Sequence, residues 1–192
     1  MRKVFLNLGA NQGSDIKNFR KLYGDDYEVY AFEANPICVE GLKKIPNINI
    51  IDKAVDVEER QIEFFLGKTD YSSTLREDKT KAMSGERIVV ETIKFSKWVI
   101  DNLSEEDEIV LAMDIEGSEY DVIPDLYEAG IMGWFNELYI EFHHRKLKNI
   151  DESTHNKLHK QVIETFGDKV YIENGYNREQ FSKLNKEEDR GK

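Results

Sequence analysis

The sequence predicts an α/β sandwich, a mainly parallel, doubly wound sheet flanked by helices. Three observations carry this. Short apolar runs alternate with amphipathic stretches of helical period along the chain. Several runs, such as residues 4–8 and 108–113, have the near-continuous apolar character of strands buried on both faces. Turn-forming Gly, Asn and Pro punctuate the run ends. Strand–helix–strand units of this kind close by right-handed crossovers, and such sheets bind ligands beyond the carboxyl ends of their strands.

The elements follow in order. Residues 4–8 (VFLNL) end in a glycine turn and form the first strand. Ile16, Phe19, Leu22 and Tyr23 recur at helical spacing, so residues 14–23 form a helix with Ser14 or Asp15 as its cap. Residues 28–32 (EVYAF) are the second strand, after which Asn35 caps and Pro36 opens a helix running to Leu42. Residues 48–55 (INIIDKAV) predict one continuous third strand and residues 61–66 (QIEFFL) a fourth. Residues 67–87 are polar and read as loop. Residues 87–95 are β-rich, 96–103 a short helix and 108–113 (EIVLAM) a strongly buried strand. A helix follows over 118–129, where Pro124 predicts a split or kink. A strand over 138–142 (LYIEF), a helix over 154–166 and a late strand over 169–172 complete the pattern. One domain is expected over residues 1–184, with residues 185–192 (NKEEDRGK) as a charged, disordered tail lacking apolar anchors.

Composition narrows the function. The 192 residues suit one domain with a real core, burying about 70% of the unfolded chain's surface. Lys and Arg number 27 against 38 Asp and Glu, a net charge of −11, so general nucleic-acid binding and attraction to anionic membranes are disfavoured. Cys38 is the only cysteine; it excludes an intramolecular disulfide and any multi-cysteine metal site, and reads as a small core residue. No stretch approaches the roughly 18 apolar residues of a membrane span. The opening MRKVFLNLGA is interrupted at Asn7 too early for a secretory signal, so the expected location is cytoplasmic, without membrane insertion.

Chemistry gathers at four strand ends. After the first strand, Asn7-Leu8-Gly9-Ala10-Asn11-Gln12-Gly13 combines two glycines that permit close backbone approach with a helix N-terminus that offers free N–H groups. Glu33 follows the second strand, 20 residues past Gly13 (33 − 13), where nucleotide folds hold a ribose with a carboxylate. Asp114 and Glu116 abut the buried strand 108–113, where acids need a functional reason, as a general base or as ligands of a divalent ion. Ser118 with Asp121 reads as helix capping, and Glu119 as an acid suited to a helix N-terminus. Strand alternation puts Tyr139, Glu141 and His143 on one face, with His143 a natural base near neutral pH. His144 reads as a surface or structural residue. His155 and His159 share a helix face at i, i+4, a spacing that fits a metal but is more often solvated.

Taken in order, the first three segments resemble the FkbM-type methyltransferases, a branch of the S-adenosylmethionine-dependent Rossmann-like methyltransferases. Gly9-Ala10-Asn11-Gln12-Gly13 matches that family's Gly-Ala-Asn-x-Gly, Phe32-Glu33-Ala34-Asn35-Pro36 its Phe-Glu-x-x-Pro, and Asp114-Ile115-Glu116-Gly117-Ser118-Glu119 its Asp-x-Glu-Gly-x-Glu. The resemblance implies a seven-stranded-type sheet with an antiparallel hairpin near its end, and S-adenosylmethionine as methyl donor. Gly9, Asn11 and Gly13 are then expected to line the methionine portion and Glu33 to bind the ribose. Asp52, Lys53 and Ala54 are expected to wall the adenine, Ser73 and its neighbour Ser72 to reach the cofactor from the polar loop, and Asp114 to lie beside it. Position 7 departs from the family's usual acid: Asn7 keeps an acceptor for the cofactor's amino group but loses the charge. The resemblance points to O-methylation of a sugar, glycan or other small hydroxylated acceptor. The acceptor pocket is expected from residues 67–87 and 144–154 or from a second subunit, which allows a homodimer.

A hydroxyl acceptor must be aligned and must lose its proton. Asp114, Glu116 and His143 are the candidate catalytic residues, with Asp114 or His143 taking the proton. The variant is a divalent ion such as Mg²⁺ held by Asp114 and Glu116 with Glu141 or His143. Two rivals remain. A nicotinamide oxidoreductase or epimerase would want GxGxxG or Tyr-x-x-x-Lys, neither of which fits here. The other is a non-catalytic module that keeps only nucleoside-cofactor binding.

Overall fold

In a computed structural model of the chain, residues 1–69 and 72–173 are described; the expected tail at 185–192 lies outside them. The main sheet contains β1 (Lys3–Leu8), β2 (Glu28–Phe32), β3 (Asn49–Ile51), β7 (Glu108–Met113), β8 (Glu137–Glu141) and β9 (Val170–Glu173). Their order is β3-β2-β1-β7-β8-β9, and every neighbouring pair is parallel. A second sheet, of order β4-β6-β5, is formed by β4 (Ala54–Asp56), β5 (Gln61–Gly67) and β6 (Met83–Lys94). The α/β class is as expected, but the strand count differs. Among the described residues the main sheet has six strands, and the antiparallel hairpin β5–β6 belongs to the smaller sheet.

Helices cover both faces, as the buried character of the strands requires. On one face α1 (Ser14–Tyr23) and α2 (Pro36–Leu42) bury Ile16, Phe19 and Leu42 against Phe5, Ala31 and Val110. On the other, α3 (Phe95–Asn102), α4 (Glu119–Glu128) and α5 (Glu152–Phe166) bury Val99, Ile123 and Val162 against Leu6, Leu111 and Leu138. Alternation along β1 explains the split, since Phe5 faces one layer and Leu6 the other. Cys38 is buried in α2, as its size and apolarity suggested.

Local differences have local causes. The strand expected over 48–55 breaks at the exposed Asp52. Lys53 N–H donates to Ile51 O at 2.9 Å, a tight turn that sends β4 into the second sheet. Strand β6 starts at Met83, earlier than its polar composition suggested, because Gly67 pairs with Met83 beyond an irregularity in β5. Pro124 does not split α4, which runs unbroken from Glu119 to Glu128. Asn35 caps α2 as expected, accepting from Ile37 N–H at 3.1 Å. Neither Ser14 nor Asp15 caps α1, because both already lie inside it and Gly13 takes the cap position at φ 80°. Ser118 likewise makes no side-chain cap bond at α4.

Candidate active site

The carboxyl ends of β1, β2 and β7 open onto one cleft, with a space of about 670 Å³ counted out to its mouth. Of the residues singled out by sequence, Gly9, Asn11, Glu33, Lys53, Ala54, Ser73, Asp114 and Glu116 line it. Phe32, Val55, Phe64, Leu75 and Ile115 add the apolar surface that a flat ring system would need. Of these, only Phe32 is a named position of a motif, and nothing in the sequence assigns Val55, Phe64, Leu75 or Ile115 to a cleft.

The β1–β2 side rests on backbone groups. Glu33 is buried, and its two carboxylate oxygens accept from Asn11 N–H and Asn35 N–H, each at 2.8 Å. Burial pushes its carboxyl above the usual range, against the pull of the N–H groups of Asn35, Asn11 and Ala34. Each oxygen has a second acceptor site, so a Glu33 fixed in this way can still take ligand hydroxyls. Gly9 has φ 77°, and a Cβ there would stand 1.9 Å from the Asp114 carbonyl oxygen. That contact is where the two halves of the cleft touch, and it requires glycine.

Four expected cofactor contacts lie elsewhere. Asn7 is buried within β1, and by alternation it shares the α1 face with Phe5. Its Nδ2 has no hydrogen-bond partner. Gly13 packs against Leu42 and Ile45, where a Cβ would meet Ile45 at 2.2 Å, so its glycine is explained by packing rather than by a ligand. Asp52 is exposed outside the lining, although its charge raises the Glu33 carboxyl. Ser72 is buried, its hydroxyl directed at the carbonyls of Thr69 and Ala82. Lys53 lines the cleft while its ammonium pairs with Glu91 at 2.8 Å.

The β7–β8 side is built from charged side chains. After β7 the chain turns sharply, with Glu116 at φ 52° and Gly117 at φ 117°. The Glu119 carboxylate holds this turn, accepting from Ile115 N–H at 3.0 Å and Gly117 N–H at 2.9 Å. It also meets His143 Nδ1 at 2.9 Å. Glu119 is fully buried, so its part is larger than the helix-terminal acid expected from sequence. Lys79, whose side chain is wholly buried, meets Glu116 Oε2 at 2.6 Å and Ser72 O at 2.5 Å. Lys146 meets the same Glu116 oxygen at 3.1 Å. Burial pulls the Lys79 ammonium below its ordinary range, against the attraction of Glu116. The two polar loops therefore join over this turn: Thr74 Oγ1 donates to Glu116 O, and Thr80 N–H donates to Lys146 O, each at 2.8 Å. The sequence gives no sign of Lys79 and Lys146, because nothing local marks a lysine as buried.

His143 differs from its expected role. It does not line the cleft but lies behind it, 2% exposed. Its Nε2 stands 3.2 Å from Glu141 Oε1 and 3.6 Å from oxygens of both Asp114 and Glu116, none in hydrogen-bonding geometry. Burial opposes a charged ring, but Glu119, Glu141 and Asp114 outweigh it and hold His143 well above the ordinary imidazole range. Asp114 is about a third exposed toward the cleft, and its Oδ1 is sheltered and unpartnered. Desolvation raises its carboxyl well above the usual range, His143 opposing and Glu141 and Glu116 adding to it. Asp114, Glu141 and His143 present ligand atoms within 4.8 Å of one another, whereas Glu116, expected in a metal set, is committed to two lysines. His155 and His159 are part-exposed and belong to no metal set among the described residues. His155 stacks on His144 at 3.8 Å and bonds the Tyr120 hydroxyl, and His159 packs near Phe142. No helix of the described residues is long and apolar enough to cross a membrane.

Comparison with known proteins agrees with this fold. Residues 7–177 match the methyltransferase FkbM domain. The crystal structure of methyltransferase FkbM from Methylobacillus flagellatus KT is similar in fold, with a TM-score of 0.51 at 12% identity over 87% of this chain. The chain spans only 38% of that protein's length. Comparison with curated proteins finds no match. With the family match covering most of its length, the chain belongs to the FkbM methyltransferase family.

Proposed function

We propose that the chain is an S-adenosylmethionine-dependent O-methyltransferase acting on a hydroxyl of a sugar, glycan or related small molecule. The observation that carries this reading is the cleft itself, where the fixed Glu33 carboxylate and the part-exposed Asp114 carboxylate share one lining. The residues suit the cofactor: Glu33 for the ribose hydroxyls, Gly9 and Asn11 for the methionine end, and Ala54, Val55 and Phe64 for the adenine faces. When bound, S-adenosylmethionine supplies an electrophilic methyl group. The protein's task is then to align the acceptor oxygen and receive its proton. Asp114 does this, since it faces the cleft and its raised pKa brings it closer to a hydroxyl's proton than an ordinary carboxylate. His143, behind the cleft and held charged, orients and balances Asp114 instead. Residues 72–80, tied to Lys146, wall the acceptor end and exclude water, and a second copy of the chain would extend that wall. The acidic surface favours neutral or cationic acceptors. The cofactor is a cytoplasmic metabolite, and the reading places the chain there.

The test is methyl transfer from labelled S-adenosylmethionine to a panel of sugars and small alcohols. Transfer is expected for wild type and a loss of at least a hundredfold for Asp114→Asn. Undiminished turnover in Asp114→Asn would remove Asp114 as proton acceptor. Cofactor binding without transfer to any acceptor would favour the non-catalytic module.

A further inference from the structure

Behind the cleft, at the adjoining ends of β7 and β8, three side chains converge from neighbouring strands. Asp114 follows Met113, the partner of Ile140, and Glu141 and His143 follow Ile140. The His143 ring is oriented from its far side, where Glu119, itself pinned by two backbone N–H groups, meets Nδ1. That contact places the Nδ1 proton toward Glu119 and aims Nε2, which gives up its proton when an ion binds, at Asp114 and Glu141. A carboxylate behind the imidazole is how proteins fix the tautomer and direction of a metal-binding histidine. The ring is 2% exposed, and both Nε2 and Asp114 Oδ1 lack hydrogen-bond partners. Buried polar atoms left unpaired in this way are costly, and two of them facing each other need an explanation.

Their spacing supplies one. Nε2 lies 3.6 Å from Asp114 Oδ1, too far for a hydrogen bond, and 3.2 Å from Glu141 Oε1. Two ligands each about 2.1 Å from one ion stand about 3.0 Å apart at a right angle and about 3.4 Å apart in a tetrahedron. We propose that Asp114, Glu141 and His143 form a binding site for one divalent transition ion of the Mn²⁺ or Zn²⁺ kind, at the inner wall of the cleft. One imidazole with two carboxylates favours such an ion over Mg²⁺, which prefers oxygen ligands alone. Glu116 stays outside the site, held by Lys79 and Lys146. The consequence for catalysis rests on the methyltransferase reading. An ion there that also meets the acceptor oxygen would lower the pKa of the acceptor hydroxyl, and this would replace the raised Asp114 carboxyl as the drive for deprotonation.

The test uses the whole chain, stripped with a chelator and titrated with Mn²⁺. Free ion is followed by electron paramagnetic resonance, with Mg²⁺ and S-adenosylhomocysteine titrated in parallel. One Mn²⁺ per chain is expected in the micromolar range, at least tenfold tighter than Mg²⁺. Asp114→Asn and Glu141→Gln should each weaken it at least tenfold while melting within a few degrees of wild type. His159→Gln, on a histidine outside the site, should leave it unchanged. No Mn²⁺ binding below millimolar, or equal binding in the Asp114 and Glu141 variants and wild type, overturns the site. Mg²⁺ binding as tightly as Mn²⁺ overturns the choice of ion. S-adenosylhomocysteine binding without Mn²⁺ binding overturns the ion site alone. Mn²⁺ binding without S-adenosylhomocysteine binding supports the ion site and overturns the methyltransferase reading.

Discussion

The cleft has two unlike walls. At β1 and β2 a single buried acid, Glu33, is held by main-chain N–H groups of Asn11 and Asn35. At β7 and β8, Asp114, Glu116, Glu119 and Glu141 crowd together and are balanced by the side chains of Lys79, Lys146 and His143. A backbone-held charge survives any substitution that preserves the turn. A side-chain-held charge depends on residue identity at several distant positions, since a buried charge stripped of its partner is costly. Binding that must stay constant suits the first wall, and proton handling that needs tuned groups suits the second.

The largest expected effect tests the second wall. Lys79→Met removes a buried ammonium and leaves Glu116 with only the part-exposed Lys146 and the more distant His143, at a cost toward the lower end of about 3–5 kcal/mol in chemical denaturation. A change under about 1 kcal/mol would mean that the lysine pair is dispensable and that the contrast between the walls is overstated. Next comes the seam. Gly9→Ala places a methyl on the Asp114 carbonyl at a positive φ, for a loss of about 2–4 kcal/mol with weakened cofactor binding. Wild-type stability there would show that the walls do not meet as described. On the first wall, Glu33→Ala should weaken S-adenosylhomocysteine by about 10- to 100-fold, the 1.5–3 kcal/mol of charge-assisted hydrogen bonds. Unchanged affinity would remove Glu33 from the cofactor site.

The smallest effect concerns pH and lies outside both walls. Burial, with help from His144, His159 and Arg145, pulls His155 down from 6.5 to about 4. A depressed imidazole contributes stability that is fully present above its unfolded pKa of 6.5 and is lost as pH falls toward 4. The ring is half-buried, so solvent reduces the contribution to about 1–2 kcal/mol. His155→Gln should flatten the melting temperature between these pH values. An unchanged slope would place the acid sensitivity elsewhere.

The same contrast explains what could be read from sequence. Strands β1, β2 and β7 were legible because their apolar runs are continuous, and Glu33 and Asp114 because they follow those runs directly. The break at Asp52 was not, since nothing in INIIDKAV distinguishes one strand from two in different sheets. Gly13 looked like part of a ligand loop because a glycine required by Ile45 looks the same in sequence as one required by a ligand. On the second wall the acids were visible, but their partners were not. Lys79 sits in a polar stretch, and Lys146 follows a histidine pair. Only the folding of residues 72–80 onto 146–149 reveals both as counterions of Glu116. The sequence puts His143 at the end of β8, but its orientation behind Asp114 depends on Glu119, which local sequence presents as an ordinary helix-start acid.

The most direct measurement is a calorimetric titration of the wild-type chain and Glu33→Ala with S-adenosylhomocysteine, with NAD⁺ in a parallel cell. A cofactor cleft anchored by Glu33 predicts micromolar-range binding of S-adenosylhomocysteine to wild type, a clear loss in the variant and no binding of NAD⁺. Binding of NAD⁺ alone, or no binding of either by the wild-type chain, would contradict it.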